Sequence, residues 1–381
     1  AVTDKQPFAV KAEMAACPWQ PQHRLVRIHL KGREVPAGEK PSNLIFLVDV
    51  SGSMQGPEKL ELVQRSLRLL TERLGENDRV SLVTYAGGTE VVLPPTNGLQ
   101  KASIMAAIDR LQPGGSTHGS AGIKLAYEQA VSGYIKDGVN RVLLCTDGDF
   151  NVGISDPKEL ENFITEKARS GVFLSVLGFG TGNLKDLTME TLADKGNGNY
   201  AYIDSLSEAR KVLVEQRQGT LVTIAKDVKI QVEFNPAVVR EYRLIGYENR
   251  LLAKEDFNDD TKDAGEIGAG HSVTALYELV PANLKPGQTP TPAVDPLKYQ
   301  PQVLASPPAA SASKPETAAE ALTVKLRYKE PEGITSKLIE VALNDDERSI
   351  GQASAEFKFS AAVAGFGMLL RESTQASQLN W

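Results

Sequence analysis

From Asn43 to about Gln218 the chain alternates short apolar runs with stretches of helical periodicity. Leu44-Ile-Phe-Leu-Val-Asp-Val50 is nearly continuous in apolar character, which in a strand means burial on both faces of a sheet. Lys59 to Leu74 then places Leu60, Val63, Leu67, Leu70 and Leu74 at steps of three and four, an amphipathic helix closed by Gly75. The same reading predicts strands at Val80–Tyr85, Glu90–Leu93, Arg141–Thr146, Val172–Gly178 and Tyr200–Ile203. Between and after them it predicts helices at Lys101–Leu111, Ala121–Lys136, Pro157–Ser170, Leu184–Lys195 and Ser207–Gln218. Such alternation predicts an α/β fold, a doubly wound and mostly parallel sheet with helices on both faces.

Outside this block the period drops to two. Val26, Ile28 and Leu30 oppose Arg27, His29 and Lys31, and Val324, Leu326 and Tyr328 oppose Lys325, Arg327 and Lys329. Asp227–Phe234 directs Val228, Ile230, Val232 and Phe234 inward, and Tyr242 and Leu244 oppose Glu241 and Arg243. These are patterns of antiparallel strands with one solvated face. One such strand precedes the α/β block and several follow it, and about forty residues rarely hold a core alone. The expected architecture is therefore an α/β domain over 43–218 inserted in one antiparallel β-sandwich, built from N-terminal strands in 1–42 and the remainder in 219–381. Residues 281–315 carry nine of the 21 prolines and read as an extended loop within the sandwich. Ala361–Leu370 reads as a buried helix against it.

Composition narrows the function classes. With 42 Lys+Arg against 48 Asp+Glu and a net charge of −6, the chain lacks the basic footprint that nucleic acid requires. Its longest apolar stretch, Ala361–Leu370, falls well short of the ~20 residues of a spanning helix. Two cysteines make neither a metal cage nor a disulfide framework, and Cys145, inside an apolar run, is expected to be a free core thiol. A start at Ala1 without Met reads as a processed or trimmed product.

The candidate chemistry lies where ligands bind in open α/β sheets, at the carboxyl ends of strands. The first strand of the block ends in Asp49-Val-Ser51-Gly-Ser53, Gly114-Gly-Ser-Thr117 precedes a helix, and Thr146-Asp147-Gly-Asp149 ends a later strand. Carboxylates and hydroxyls in three loops suit a hard divalent cation, Mg²⁺ first, with Mn²⁺ or Ca²⁺ as alternatives. Asp-x-Ser-x-Ser, a separate Thr and then Thr-Asp-Gly resemble the metal-ion-dependent adhesion site of von Willebrand factor type A domains. The resemblance implies Ser51, Ser53 and Thr117 as hydroxyl ligands, Asp49 and Asp147 as acids binding directly or through water, and an open position for an acidic side chain from a partner protein. The family often has Gly-Gly-Thr where this chain reads Gly115-Ser116-Thr117.

A narrower resemblance rests on Cys17-Pro-Trp19, Val139-Asn-Arg141, Thr146-Asp-Gly-Asp-Phe-Asn-Val-Gly153, Glu266-Ile-Gly-Ala-Gly-His271 and Ala361-Ala-Val-Ala-Gly-Phe366. These are similar to bacterial von Willebrand A-domain lipoproteins with a C-terminal domain of unknown function. That implies a cell-envelope location, periplasmic or surface, with a lipid anchor upstream. The expected function is metal-dependent protein binding in adhesion or complex assembly, without enzymatic turnover. A metal-dependent hydrolase and a scaffold with an inert metal site are the alternatives.

Several other patterns read as structural. Gly178-Phe-Gly-Thr-Gly182, with Asp204 further on, mimics a dinucleotide fingerprint, but Asn183 stands where the third glycine should be. Asp256–Asp260 begins like a calcium loop, yet Thr261 and Ile267 replace its Gly and Glu. Asp149 is a candidate to orient the metal ligands. His118 reads as a helix-start residue, and His23, His29 and His271 show no acid-base partner in the sequence.

Overall fold

The computed structural model describes residues 6–35, 40–115, 119–148, 157–180, 186–216, 222–246, 252–260, 264–283, 320–331, 333–376 and 379. In the α/β block, strands β3 (Ser42–Asp49), β4 (Arg79–Tyr85), β5 (Thr89–Asn97), β6 (Val139–Thr146), β7 (Val172–Phe179) and β8 (Tyr200–Ile203) form a six-stranded sheet in the order β5-β4-β3-β6-β7-β8. All neighbours are parallel except β4 and β5. The antiparallel β5 contains Pro94 and Pro95, which an edge strand tolerates because one side needs no ladder donors.

Alternation along β3 sorts the two cores. Leu44, Phe46 and Val48 pack with α1 (Leu60–Thr71), α2 (Lys101–Asp109) and α6 (Leu206–Arg210). Ile45 and Leu47 pack with α3 (Gly119–Ser132), α4 (Pro157–Arg169) and α5 (Asp186–Lys195). All eight residues of β3 are buried, as the continuous apolar run predicts. The helix expected at Ser207–Gln218 is α6 followed by a wider π turn over Lys211–Glu215, in which Gln216 N donates to Lys211 O at 2.7 Å.

The rest of the chain builds two four-stranded antiparallel sheets. One has the order β1 (Phe8–Cys17), β2 (Gln20–Gly32), β12 (Ser272–Pro281), β10 (Val239–Ile245). The other has the order β11 (Gly265–Gly268), β9 (Thr223–Phe234), β13 (Glu320–Lys329), β14 (Lys337–Asn344). Val26, Ile28 and Leu30 of the first share a core with Val324, Leu326 and Tyr328 of the second, and the Phe8 ring meets Tyr328 edge-on at 4.9 Å. Because β2, before the α/β block, pairs along its length with β12, after it, the block is an insertion in the sandwich. Strands β1 and β14 lay outside the sequence reading: β1 is rich in alanine, and β14 is an edge strand with no fully buried face.

Two expectations change in detail. Tyr242, read as inward, is largely exposed on the edge strand β10, with its ring stacked on Phe234 at 4.2 Å. The C-terminal helix α7 (Ala355–Leu370) starts earlier than Ala361 and only half of it is covered. Phe357, Ala361 and Met368 pack with Trp19, Leu25 and Leu276 on the outer face of the first sheet, while Phe359, Val363, Phe366 and Leu370 are exposed. Its start is anchored by Ser354, which caps Phe357 N and donates Oγ–H to Glu13 at 2.6 Å.

Arg141 of β6 joins the two parts. Its guanidinium donates to Ser175 Oγ of β7 at 2.6 Å and to Thr223 Oγ1 of β9 at 3.1 Å, and it lies 5.5 Å from the Phe173 ring centroid. Complete burial pulls its pKa down to about 10, against which the Glu266 charge from β11 acts.

Candidate metal centre

Asp49, at the carboxyl end of β3, is fully buried. Its Oδ1 accepts from Ser51 N at 2.9 Å, and its Oδ2 accepts from Tyr85 Oη and Thr146 Oγ1, each at 3.1 Å. Burial raises its pKa and the nearby Asp147 charge adds to the rise, while the bonds from Ser51 and Thr146 act the other way. Burial likewise pushes the Tyr85 hydroxyl up, so the phenol stays a donor to Asp49.

The loop turns at once into a short 3-10 turn, Gly52–Met54, which brings Ser51 Oγ and Ser53 Oγ within 3.0 Å of each other. Two backbone bonds clamp this loop to the segment before α3: Gly52 N to Gly115 O at 3.1 Å, and Gly114 N to Val50 O at 2.7 Å. Gly115 has φ +83°, and a Cβ there would approach Gly87 N to 3.0 Å, so the close approach requires glycine. Asp147, directly after β6, is the second buried acid, and Thr146 beside it accepts from Gly148 N at 3.2 Å while donating to Asp49.

Asp49, Ser51, Ser53 and Asp147 therefore meet at the strand ends, as the motif spacing predicts. Thr117, Ser116, His118 and Asp149 lie outside the described residues. Among the described residues no group of three or more His, Cys, Asp or Glu side chains could hold a metal ion, so any cation here would depend on hydroxyl ligands. The donor set fits a small hard ion on one measurable point. The two serine hydroxyls hydrogen-bond to each other at 3.0 Å, which is also close to the about 2.9 Å that separates cis oxygens in an octahedral Mg²⁺ shell with ~2.0–2.1 Å bonds.

Lys59, at the start of α1, belongs to the site and was not anticipated. Its Nζ donates to Asp147 Oδ2 at 2.9 Å and to the Ser53 carbonyl at 2.7 Å. The only sequence signal is a lysine six residues after Ser53 at a helix start, which does not say that the side chain turns back toward β6.

The lesser motifs resolve into structure. At the end of β7, Gly180 has φ +95° and its carbonyl accepts from Tyr202 Oη at 2.7 Å, while Thr181, Gly182 and Asn183 of this motif lie outside the described residues. The acidic loop Asp256–Asp260 is engaged by the sandwich's own cations. Lys229 donates to the carbonyls of Asp256 and Asp259, and Asp260 accepts from Arg327 at 2.7 Å and Ser336 Oγ at 2.5 Å. His23 does have an acidic partner: its Nδ1 lies 2.5 Å from Glu278 Oε1, a buried carboxylate that also accepts from Trp19 Nε1 at 3.0 Å and Arg243 at 2.5 Å. Cys17 and Cys145 are both free and buried.

Residues 43–216 match the von Willebrand factor type A domain model, and residues 219–381 match the model described as "Uncharacterized protein YfbK, C-terminal". The chain is 46% identical over 376 residues to Uncharacterized protein YfbK of Escherichia coli (strain K12), covering 98% of this chain and 63% of that protein. It is 32% identical over 169 residues to Uncharacterized protein sll0103 of Synechocystis, covering 44% of this chain and 39% of that one. The chain thus spans less than two thirds of the length of either relative. A solved von Willebrand factor type A protein from Catenulispora acidiphila aligns over 99% of this chain and 85% of its own, with 14% identity and a TM-score of 0.48. The chain therefore carries a von Willebrand factor type A domain over 43–216, followed over 219–381 by a region that matches the YfbK C-terminal model.

Proposed function

We propose that the chain is a metal-dependent protein-binding module of the bacterial cell envelope. In this reading Asp49, Ser51, Ser53, Thr117 and Asp147 hold a divalent cation, Mg²⁺ first and Mn²⁺ or Ca²⁺ next, and a carboxylate from a partner protein completes its shell. Von Willebrand A domains commonly mediate protein–protein interaction, which gives the general class. The observation that carries the metal is the pair of serine hydroxyls 3.0 Å apart, flanked by two buried acids at the ends of β3 and β6. Mg²⁺ usually keeps waters, and a water is readily exchanged for a partner's oxygen.

Binding, not turnover, follows from the donor set. In this reading three of the five ligands are neutral hydroxyls and a coordination position stays open, which suits capture of an anionic oxygen from a partner. A cation of the chain's own, Lys59, rests on the expected ligands and is already bonded to Asp147 and the Ser53 carbonyl. The envelope location, with an anchor upstream, rests on the lipoprotein resemblance carried by Cys17-Pro-Trp19 and the other motif segments. No helix among the described residues is long and apolar enough to cross a membrane.

The test is capture of proteins from envelope extract on the immobilised chain, with Mg²⁺ and again with EDTA. A partner retained with Mg²⁺, released by EDTA and lost on Ser53→Ala is the expected outcome. Retention indifferent to both changes would overturn the reading. Mg²⁺-dependent turnover of a phosphoester or peptide, abolished by Asp49→Ala, would replace it with a hydrolase.

A further inference from the structure

Lys59 stands outside the ligand set that the motif implies, yet three features hold its side chain in the site. Its Nζ bridges Asp147 Oδ2 and the Ser53 carbonyl at 2.9 and 2.7 Å. The Asp147 side chain is 5% exposed and that of Lys59 23%, so the pair is shielded from bulk water. The aliphatic stem lies along Gly180, at the end of β7, where a Cβ would fall 3.0 Å from both Cγ and Cε of Lys59. The neighbouring strand end is thus shaped to let the stem pass.

Chemistry gives the arrangement a consequence. Asp49 and Asp147 are two buried acids at the ends of neighbouring strands, and buried negative charge is stabilised by a positive charge in contact with it. An ammonium supplies that charge in compact form on a flexible stem. A divalent ion in the same site would draw on the same acid and would repel the ammonium.

We propose that Lys59 is the built-in counter-cation of the metal site. Its ammonium and the divalent ion compete for Asp147, so Lys59 sets how tightly the metal binds and ties occupancy to the first turn of α1. The inference rests on the metal-binding reading above and adds to it a residue that weakens binding. The link to α1 is direct, because Lys59 is the residue immediately before Leu60 and its carbonyl accepts from Val63 N at 2.8 Å. When the ammonium leaves Asp147, this turn loses its tether to β6.

The test titrates Mn²⁺, read by calorimetry, into the full chain and into Lys59→Met, Lys59→Gln and Lys59→Arg, with thermal unfolding of each in EDTA. Removing a competing charge-assisted bond and a like charge should tighten Mn²⁺ binding about tenfold or more in Lys59→Met and Lys59→Gln. Lys59→Arg, which keeps the charge, should stay nearer to wild type. In EDTA, Lys59→Met should melt at lower temperature, and adding Asp147→Asn should recover part of that loss, because the buried charge left unpaired is then removed. Unchanged or weaker Mn²⁺ affinity in both neutral variants, with wild type still binding, would overturn the role of Lys59 and leave the metal reading standing. No Mn²⁺ or Mg²⁺ binding by wild type would overturn the metal reading and this inference with it. Lys59→Gln covers the case in which Lys59→Met fails to fold.

Discussion

Glu278 shows how single residues gain meaning from distant ones. Burial alone would raise its pKa, but the donors from Trp19, His23 and Arg243 outweigh burial and hold the carboxyl below its usual value of 4.5. A carboxylate with a lowered folded pKa contributes stability above its unfolded pKa and loses it as pH falls through the folded value. Stability should therefore drop as pH is taken below about 4.5, and Glu278→Gln should flatten that part of the profile. At pH 7 the same variant should cost about 3–5 kcal/mol, the usual effect of breaking a buried pair, read in urea denaturation. The candidate ligands Asp49, Ser51 and Ser53 were legible in the sequence because one loop of five residues contains them. Glu278 and His23 were not, since 255 residues separate them and only the pairing of β2 with β12 brings them together.

Among the elements, helix α7 departs furthest from its sequence reading. Its residues are apolar nearly all round, a composition that predicts full burial. Tertiary structure covers only the line through Phe357, Ala361, Gly365 and Met368. Truncating the covered side should be costly and truncating the open side should not. Phe357→Ala is expected to lose about 3–5 kcal/mol, whereas Phe359→Ser should stay within about 0.5 kcal/mol, as exposed positions do. Thermal unfolding of the two variants side by side checks the assignment of faces. Helices such as α1 were readable because polar residues mark their outer side; α7 carries no such mark, so periodicity could not say which face is covered.

For the whole molecule the decisive contact is at Arg141, where β6 of the inserted block meets β9 of the sandwich through Thr223. A single buried guanidinium serves hydroxyls on two sheets beside the charge of Glu266. Arg141→Ala removes the donor to Thr223 and the positive charge beside Glu266, and should destabilise the chain by about 3–5 kcal/mol in urea denaturation. Arg141→Lys should rescue little, because one ammonium on a shorter reach cannot reproduce the planar fork. This contact lies toward the amino-terminal end of β6, while Asp147 follows its carboxyl end, so the junction and the candidate metal site sit at opposite ends of one strand. Stability at the junction can therefore be altered without touching the candidate metal ligands.

The sequence by itself determined the alternation of strand and helix over 43–218, the two-residue period of the flanking strands, and the placing of the candidate ligands Asp49, Ser51, Ser53 and Asp147 at strand ends. Each of these depends on burial or spacing within a short segment, which hydropathy and motif order record directly. Only the tertiary structure decided that Lys59 faces Asp147, that Arg141 ties the block to the sandwich, and that Glu278 collects its donors. It also decided which face of α7 is covered. The physical reason is range. A buried charge finds its partner where two side chains meet within a few ångströms in a shielded place, and in this chain Lys59 and Asp147 are 88 positions apart and Arg141 and Thr223 are 82 apart, distances in sequence that only the fold closes.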